Sequence, residues 1–423
     1  MNSTSFHSKT NARSVPRCLM VAAGGMLQEN GYTTRVWMAL KAVRKVQSTA
    51  VPRPVLLSFE SPRTIRHSQL RGELQQKAKA SGVELIIRTL LPKRLPFSDV
   101  LNLRVARRAV RHVVARHGIG VVHGQSHAAA AYALGAVRLS PAPRTVFDVH
   151  GADIAERLSD GRLVRGTSLY ARALRRQKET WTRASERFVV SKELGEHIRT
   201  ATGENVPYHV VPCVNTLNIR TETLEDMRRR ARQKLGFTES NDVILYLGGA
   251  SDWQQPKLLL KVFRELRNLN PAAQLLILSA EPEYFQTRIE TFGIERNHCR
   301  ILSVPHQEVS NIASAADLGV LIRQDHVINR VASPTKFAEY LNLGVPVLLT
   351  DAVADFSRIV RNNGIGIEIG CNDSPKQIAA TTNSFLKSVR ETRSMFRKRC
   401  RETADEQLSF ESILSTYQRI YGE

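Results

Sequence analysis

The chain has 423 residues, of which 42% are hydrophobic and 24% charged, so its composition excludes wholesale disorder and fits two or three globular domains. No apolar run reaches the roughly 18 residues that span a bilayer. The five cysteines are scattered and form neither a CxxC pair nor a disulfide framework, so we expect a reducing, cytoplasmic setting.

The positive charge is concentrated in one half of the chain. Residues 1–220 carry 35 Lys and Arg against 14 Asp and Glu, whereas residues 221–423 carry 26 against 25. Such asymmetry indicates a polyanionic partner for the first half, namely a membrane surface, an acidic substrate or a nucleic acid. Nucleic acid is the least favoured of these, because the sequence has no recognised binding motif and only 6% aromatic residues.

Short apolar strands alternate with amphipathic helices along most of the chain. In the first half the strands read RCLMVAA, PVLLSF, VELIIR, GVVHG, RTVFDVH, RFVVS and YHVVP. In the second half they read VILYLGG, AQLLILS, RILSVP, LGVLIR, VPVLLT and GIGIEIG. Continuous apolar strands separated by helices predict parallel sheets covered on both faces, which is an α/β architecture.

The alternation pauses at about residues 213–240, which are polar and hold a single helical pattern. We therefore predict two tandem doubly wound, Rossmann-like domains: a basic one over 1–215 and a second over 216–400. A helix in 401–423 is expected to pack back on the first domain. Two such domains leave an interdomain cleft at the carboxyl ends of their strands, where ligands of these sheets bind.

A strongly basic helix is predicted in the first domain. Its segment NLRVARRAVRHVVARHG has an apolar face of alanine and valine, and five arginines lie outside that face: Arg104, Arg107, Arg108, Arg111 and Arg116. Two interpretations stay open. The arginines either lie in water over the first sheet, or form a surface that rests on anionic lipid.

The segment VASPTKFAEY predicts a capped helix start. Ser333 is a favourable N-cap and Pro334 suits the first helical position, where its missing N–H is not needed. The helix is expected to run to Leu343 and to end at Gly344.

The same helix start has the chemistry of a nucleotide site. Its free N–H groups and dipole suit a phosphate, Thr335 adds a hydroxyl and Lys336 adds a full charge. Glu339, one turn deeper, is suited to accept hydrogen bonds from the two hydroxyls of a ribose. The alternative is a plain capped helix with a solvated lysine and glutamate.

Beyond this local chemistry, several motifs carry a resemblance to a known family. The segment DLGVLIRQDHVINRVASPTKFAEYLNLGVPVLLTD resembles the donor-binding segment of group-1, family-4-type glycosyltransferases with the GT-B fold. The motifs VAAGG, VVHGQS, FDVHGAD, FVVSKEL, VPCVNT and LGGASDW follow in the order expected for that family. The resemblance implies that the second domain binds a nucleoside-diphosphate sugar and the first binds the acceptor.

Carried over residue by residue, the resemblance implies a donor site. Glu339 would bind the ribose, the Ser333–Lys336 helix start would face the diphosphate, and His150 in DVHG would lie near the transferred sugar. The glycines of two loops would approach the donor: Gly24, Gly25, Gly248 and Gly249.

The sequence departs from the family pattern at two positions. The family often has a second glutamate eight residues before Glu339, where this chain has Val331. Gln254 stands where a lysine is expected after the first strand of the second domain. Lys257 or Arg323 is therefore expected to supply the missing positive charge.

The expected reaction stabilises a departing diphosphate with preorganised donors and cations, namely a helix start, Lys336 and Arg323. The sequence has no Asp-x-Asp pair of the kind that holds a divalent ion in metal-dependent sugar transfer, so we predict no metal and no cofactor besides the donor. The resemblance implies retention at the anomeric carbon.

Other polar residues are given structural interpretations. His123 and His127 have a helical ligand spacing but lack a third ligand, so no metal site is predicted. Asp317, just before the strand LGVLIR, is interpreted as a solvated acid at a strand edge.

The leading interpretation is thus a hexosyltransferase acting on a glycan or lipid-linked acceptor in cell-surface polysaccharide or glycoconjugate synthesis, peripheral on the inner membrane face. One alternative is a nucleotide-sugar epimerase of similar fold. A basic polyanion-binding protein and an inactive relative are further alternatives.

Overall fold

The computed structural model describes residues 16–28, 30–47, 50–92, 98–214 and 223–422, and these form two parallel β-sheets with helices between the strands. The predicted α/β class with two parallel-sheet regions is confirmed. Within the described ranges, no helix is both long and apolar enough to cross a membrane.

The first sheet has seven strands in the order β3-β2-β1-β4-β5-β6-β7. Its strands are β1 (Arg17–Ala22), β2 (Val55–Glu60), β3 (Glu84–Thr89), β4 (Ile119–Gln125), β5 (Arg144–Val149), β6 (Glu186–Val189) and β7 (His209–Val210). The pairs from β3 through β5 are parallel. β1 and β2 are buried almost throughout, as their continuous apolar runs predict.

Helices connect these strands. They are α1 (Gly31–Val46), α2 (Pro62–Arg66), α3 (Ser68–Ala80), α4 (Ser98–His117), α5 (Ser126–Ala133), α6 (Asp153–Ser159), α7 (Ser168–Arg183) and α8 (Lys192–Thr202). α4 buries the alanine and valine face that the sequence predicts, including Ala106, Val110 and Val113.

The second sheet has six strands in the order β10-β9-β8-β11-β12-β13, and all its pairs are parallel. Its strands are β8 (Asp242–Leu247), β9 (Ala273–Leu278), β10 (Cys299–Leu302), β11 (Leu318–Leu321), β12 (Val347–Thr350) and β13 (Gly366–Ile369).

Its helices cover both faces. They are α9 (Leu224–Leu235), α10 (Pro256–Leu269), α11 (Pro282–Ile289), α12 (His306–Ala313), α13 (Val327–Arg330), α14 (Thr335–Asn342), α15 (Ala354–Asn363), α16 (Pro375–Glu391) and α17 (Arg393–Gln407). The last helix, α18 (Leu414–Tyr421), packs elsewhere, against α1. The strand order reverses between β1 and β4 and between β8 and β11, and such switch points are where open α/β sheets bind ligands.

The chain divides into two compact units. The first contains the described residues up to Asp148, with Glu179–Arg187 and the chain end from Leu414; the second contains Val149–Lys178 and Phe188–Ile413. α18 packs against α1 within the first unit. The predicted boundary at 215/216 lies in 215–222, outside the described residues, so the domain limits stay a prediction.

A buried network of charges replaces the solvated acid predicted at Asp317. The Asp317 side chain is only 3% exposed and lies 2.9 Å from Arg228 and 3.1 Å from Arg232, both equally buried. Its Oδ2 also accepts a hydrogen bond from the Val243 N–H. The interpretation as a strand-edge acid is therefore wrong, because α9 brings two arginines under the second sheet.

Candidate active site

The predicted helix start exists as the amino end of α14, but Ser333 does not cap it. The helix begins at Thr335, and no side chain caps its first turn. The Ser333 hydroxyl instead accepts a hydrogen bond from the backbone N–H of Cys213, 2.9 Å away. Gly344 ends the helix with φ of +69°, as predicted. The uncapped first turn leaves its N–H groups and dipole available to an anion.

Lys336 and Glu339 contact each other on the first turn of α14. The Lys336 ammonium donates to both Glu339 oxygens at 3.1 and 3.2 Å. The glutamate side chain is 15% exposed and the lysine 31%. The pair is therefore partly shielded from water. The alternative interpretation of this segment expected both side chains to be solvated.

Tyr340 fixes α14 against the second sheet. Its hydroxyl accepts a hydrogen bond from the Leu247 N–H at 2.9 Å, which ties the helix to the end of β8. Its ring lies where a side chain on Gly319 of β11 would have to be. α14 is thereby held against β8 and β11, the two strands at the switch point.

Arg323 lies two residues beyond β11 and is almost completely buried. Its side chain stacks on the Trp253 ring at 4.9 Å. Nη1 has no hydrogen-bond partner among the described residues, and none of their carboxylates forms an ion pair with Arg323. Burial lowers the pKa of this guanidinium. A buried cation without an anion is costly, so this arrangement favours binding of an anionic group.

The loop after β8 passes close to polar side chains. A Cβ on Gly248 would lie 2.6 Å from the Gln254 Oε1, and one on Gly249 would lie 2.8 Å from the Glu281 Oε2. The Tyr246 hydroxyl donates to the Gly249 carbonyl, and Glu281 accepts from the Ala250 N–H. Both glycines are thus needed for close packing of this loop.

The remaining predicted residues lie at other loop and helix starts. Lys257 is exposed in the first turn of α10. His150 is half-buried between β5 and α6. Gly24 and Gly25 follow β1 with φ of +88° and +80°, a conformation that favours glycine. The roles assigned to all these residues stay predictions.

The two histidines with ligand-like spacing have other contacts. The His123 Nδ1 lies 2.5 Å from the Tyr421 hydroxyl of α18, and the His127 Nδ1 lies 3.3 Å from the Thr180 hydroxyl. No group of three potential metal-binding side chains is found in the part of the chain that the structure describes.

Sequence reasoning missed three residues that shape this site, namely Trp253, Tyr340 and Glu281. Trp253 and Tyr340 stand within quoted motifs, but their contacts with Arg323 and β8 depend on residues 70 or more positions away. The contact between Lys336 and Glu339 could be predicted locally, because residues three positions apart on a helix are neighbours.

Family comparisons agree with this geometry. A model described as "Glycosyl transferases group 1" matches residues 227–403, and one described as "Glycosyltransferase Family 4" matches residues 54–214. Together they span most of the chain. No curated protein sequence matches the chain.

Solved structures show the same fold at low identity. HepE from Anabaena, solved in complex with UDP and glucose, is 14% identical with a TM-score of 0.66, over 96% of this chain and 99% of that one. A glycosyltransferase from Rickettsia africae is 13% identical with a TM-score of 0.68, over 96% and 98%. WaaG, a glycosyltransferase of lipopolysaccharide biosynthesis, is 16% identical with a TM-score of 0.65, over 96% and 99%. The chain therefore belongs to the group-1, family-4-type glycosyltransferases and has their GT-B fold.

Proposed function

We propose that this glycosyltransferase takes its sugar from a nucleoside-diphosphate sugar bound at the carboxyl edge of the second sheet. The observation that carries the proposal is Arg323, a buried guanidinium that forms no ion pair with any described carboxylate and follows β11, one of the two strands at the switch point. A diphosphate would supply the missing negative charge. The HepE structure with UDP and glucose supports the same class of donor.

In this proposal, the chain stabilises the departing diphosphate without metal. Charge builds on the leaving oxygen as the sugar–phosphate bond breaks, and Arg323, Lys336 and the N–H groups of α14 are donors fixed before that happens. Preorganised donors in a water-poor site cost little reorganisation during the reaction. The transfer is retaining, with the leaving phosphate accepting the acceptor's proton and His150 near the transferred sugar.

Glu339 binds the ribose in this scheme. Its carboxylate accepts from Lys336 without the nucleotide, and the two ribose hydroxyls provide equivalent donors when the nucleotide is bound. Lys336 is then released toward the phosphates. The exchange keeps the carboxylate hydrogen-bonded in both states, which avoids the cost of an unsatisfied buried acceptor.

Lys336→Ala and Glu339→Ala are each expected to weaken nucleoside-diphosphate binding by roughly 10- to 100-fold, since each removes a charge-assisted hydrogen bond. Calorimetric titration with uridine, guanosine and adenosine diphosphates measures this and identifies the base. The control pair is Lys398→Ala and Glu402→Ala, an exposed lysine and glutamate of α17 in the same unit. Parental affinity in both α14 variants would refute the donor assignment.

Incubation with candidate nucleotide-sugars without an acceptor, together with these titrations, separates the alternatives. A nucleotide-sugar epimerase would convert the bound donor to an isomer without an acceptor, whereas a glycosyltransferase would release the nucleoside diphosphate only on transfer or slow hydrolysis. An inactive or polyanion-binding relative would bind the nucleotide weakly or not at all.

We further propose that α4 of the first unit rests on an anionic membrane. α4 exposes Leu101 and Val105, at 46% and 48%, and Arg104 and Arg108 are exposed on the same helix. Apolar side chains among cations are the pattern of a helix that lies at a lipid interface. We place the enzyme at the inner face of the membrane, where a lipid-linked acceptor of cell-surface glycan synthesis would be presented.

The purified protein is expected to co-sediment with phosphatidylglycerol vesicles at low salt and to be released at high salt, because attraction of arginine to anionic lipid is screened. Arg104→Gln with Arg108→Gln should reduce the bound fraction. Arg229→Gln, an exposed arginine of α9, is the control. Equal recovery with neutral and anionic vesicles would contradict the membrane proposal.

A further inference from the structure

The Trp253 ring packs on the Arg323 guanidinium from a short turn after β8. This single 3₁₀ turn, Asp252–Gln254, lies between β8 and α10, and the ring centre is 4.9 Å from the guanidinium carbon. Only 7% of Arg323 is exposed, so the ring is part of what shields the cation from water. The face of an aromatic ring attracts a cation, and a planar guanidinium stacks on it.

The backbone of this turn is tied to the segment that follows Arg323. The Trp253 carbonyl accepts one hydrogen bond from the Gln324 N–H at 3.2 Å and another from the Asn329 side-chain amide at 3.1 Å. The same amide nitrogen donates to the Gln324 carbonyl at 2.8 Å. Asn329 is only 1% exposed, and its amide nitrogen carries two hydrogens, so one buried side chain joins both loops.

The backbone of Arg323 is fixed separately, by the end of β12. Its N–H donates to the Thr350 hydroxyl at 2.9 Å, and that hydroxyl donates to the Arg323 carbonyl at 3.0 Å. These bonds hold the main chain but do not restrain the side chain, whose Nη1 is buried without a hydrogen-bond partner in the described part of the chain. The contact with Trp253 therefore restrains the guanidinium where hydrogen bonds do not.

Two roles fit an aromatic residue at this position. The ring either orients Arg323, or it stacks on the base of the nucleotide. The hydrogen bonds favour the first role, because the Trp253 carbonyl is held by Gln324, the residue next to Arg323. A movement of the turn away from the end of β11 would break these bonds, so the ring and the guanidinium are kept together.

We propose that Trp253 is a positioning residue that orients Arg323 toward the diphosphate of the donor, and that Asn329 holds Trp253 in place. This role rests on the proposed function, because it takes Arg323 as the cation that pairs with the diphosphate. The orientation matters because a guanidinium is planar and presents its donors to phosphate oxygens in a fixed fork. A guanidinium that is oriented beforehand loses less conformational freedom on binding.

Calorimetric titration of the full chain measures this role with two ligands, inorganic pyrophosphate and the nucleoside diphosphate that the parent binds best. Trp253→Leu should weaken both to a similar extent, by roughly 3- to 30-fold, the range that corresponds to a shielded cation–π contact. Trp253→Phe keeps a ring for the guanidinium and should recover affinity to within about threefold of the parent. The control is Phe237→Leu, which removes a ring that Arg300 contacts at 5.7 Å in the same unit and should leave affinity unchanged.

Asn329→Ala tests the anchor of the ring. It removes both hydrogen bonds of the amide but leaves the ring present, so affinity should fall by roughly 3- to 10-fold. In the Arg323→Met background, Trp253→Leu and Asn329→Ala should each change nucleoside-diphosphate affinity by less than about twofold, because the residue that they position is absent. Parental affinity in Asn329→Ala alone would refute the role of Asn329.

The positioning role of Trp253 is overturned if Trp253→Leu binds both ligands as the parent does, or if its loss is as large in the Arg323→Met background. It is also overturned if Trp253→Phe loses as much affinity as Trp253→Leu. A loss confined to the nucleoside diphosphate would show instead that the ring stacks on the base. In all these cases Arg323→Met would still lose affinity, whereas parental affinity in Arg323→Met would refute the proposed function and the positioning role with it.

Discussion

Replacing Arg323 with methionine is expected to lower nucleoside-diphosphate affinity by roughly 100-fold or more while making the unliganded protein more stable. Affinity falls because the buried cation that would pair with the diphosphate is gone, and loss of one member of a buried charge pair typically costs 2–5 kcal/mol. Stability rises because the unliganded chain no longer buries a guanidinium that lacks a counter-ion among the described residues. We expect a gain of about 1–3 kcal/mol in the free energy of unfolding.

The opposite signs of these two effects identify a binding residue. A purely structural arginine would lose stability on substitution, and its ligand affinity would fall only through misfolding. Thermal unfolding with and without nucleoside diphosphate measures both quantities in one experiment, since the ligand-induced shift should vanish in Arg323→Met. Arg229→Met, an exposed arginine of α9 that is 72% accessible, is the matched control. A parental ligand shift in Arg323→Met would refute the assignment.

Asp317→Asn is expected to destabilise the second unit by about 3–5 kcal/mol, a large part of the stability of a typical domain. The substitution keeps the volume but leaves the buried Arg228 and Arg232 with only Glu239, an exposed carboxylate 3.7 and 3.8 Å away, as a counter-charge among the described residues. Both arginines also donate to the Ala315 carbonyl, so they cannot turn outward without breaking further hydrogen bonds.

Urea unfolding followed by circular dichroism measures this loss as a lower midpoint. Asp226→Asn is the control, because that aspartate pairs with Arg229 at the surface and is 53% exposed. The surface pair is worth about 0–1 kcal/mol, so its midpoint should hardly move. Equal midpoints for the two variants would show that the buried cluster contributes no more than the exposed pair.

The architecture was accessible from sequence because each strand is a continuous apolar run. A strand covered on both faces by helices must be apolar throughout, and this requirement is visible in β2 or β12 without knowing any partner. The end of α14 at Gly344 was accessible for a similar reason, since a left-handed residue at a helix end favours glycine through backbone sterics alone.

The start of α14 was predicted correctly to within a residue, but its cap was not. Ser333 has the side chain of an N-cap, and local sequence cannot reveal that its hydroxyl is engaged by the backbone of Cys213, 120 residues earlier. The prediction that Asp317 is solvated was wrong for the same reason. An acid before a strand is usually solvated, and only the packing of α9 beneath β11 places two arginines on it.

The sequence by itself determined the two parallel sheets, the position of α14 and the identities of the residues at its first turn, because these depend on periodicity and backbone preference within short segments. Tertiary structure decided which of those residues are buried, paired or left without a counter-ion. Arg323 illustrates the difference. Its charge follows from its residue type, but its isolation from water and from every described carboxylate depends on Trp253 and on the ends of separate strands. Such an environment is the sum of contacts between segments far apart in the chain, and no local pattern encodes it.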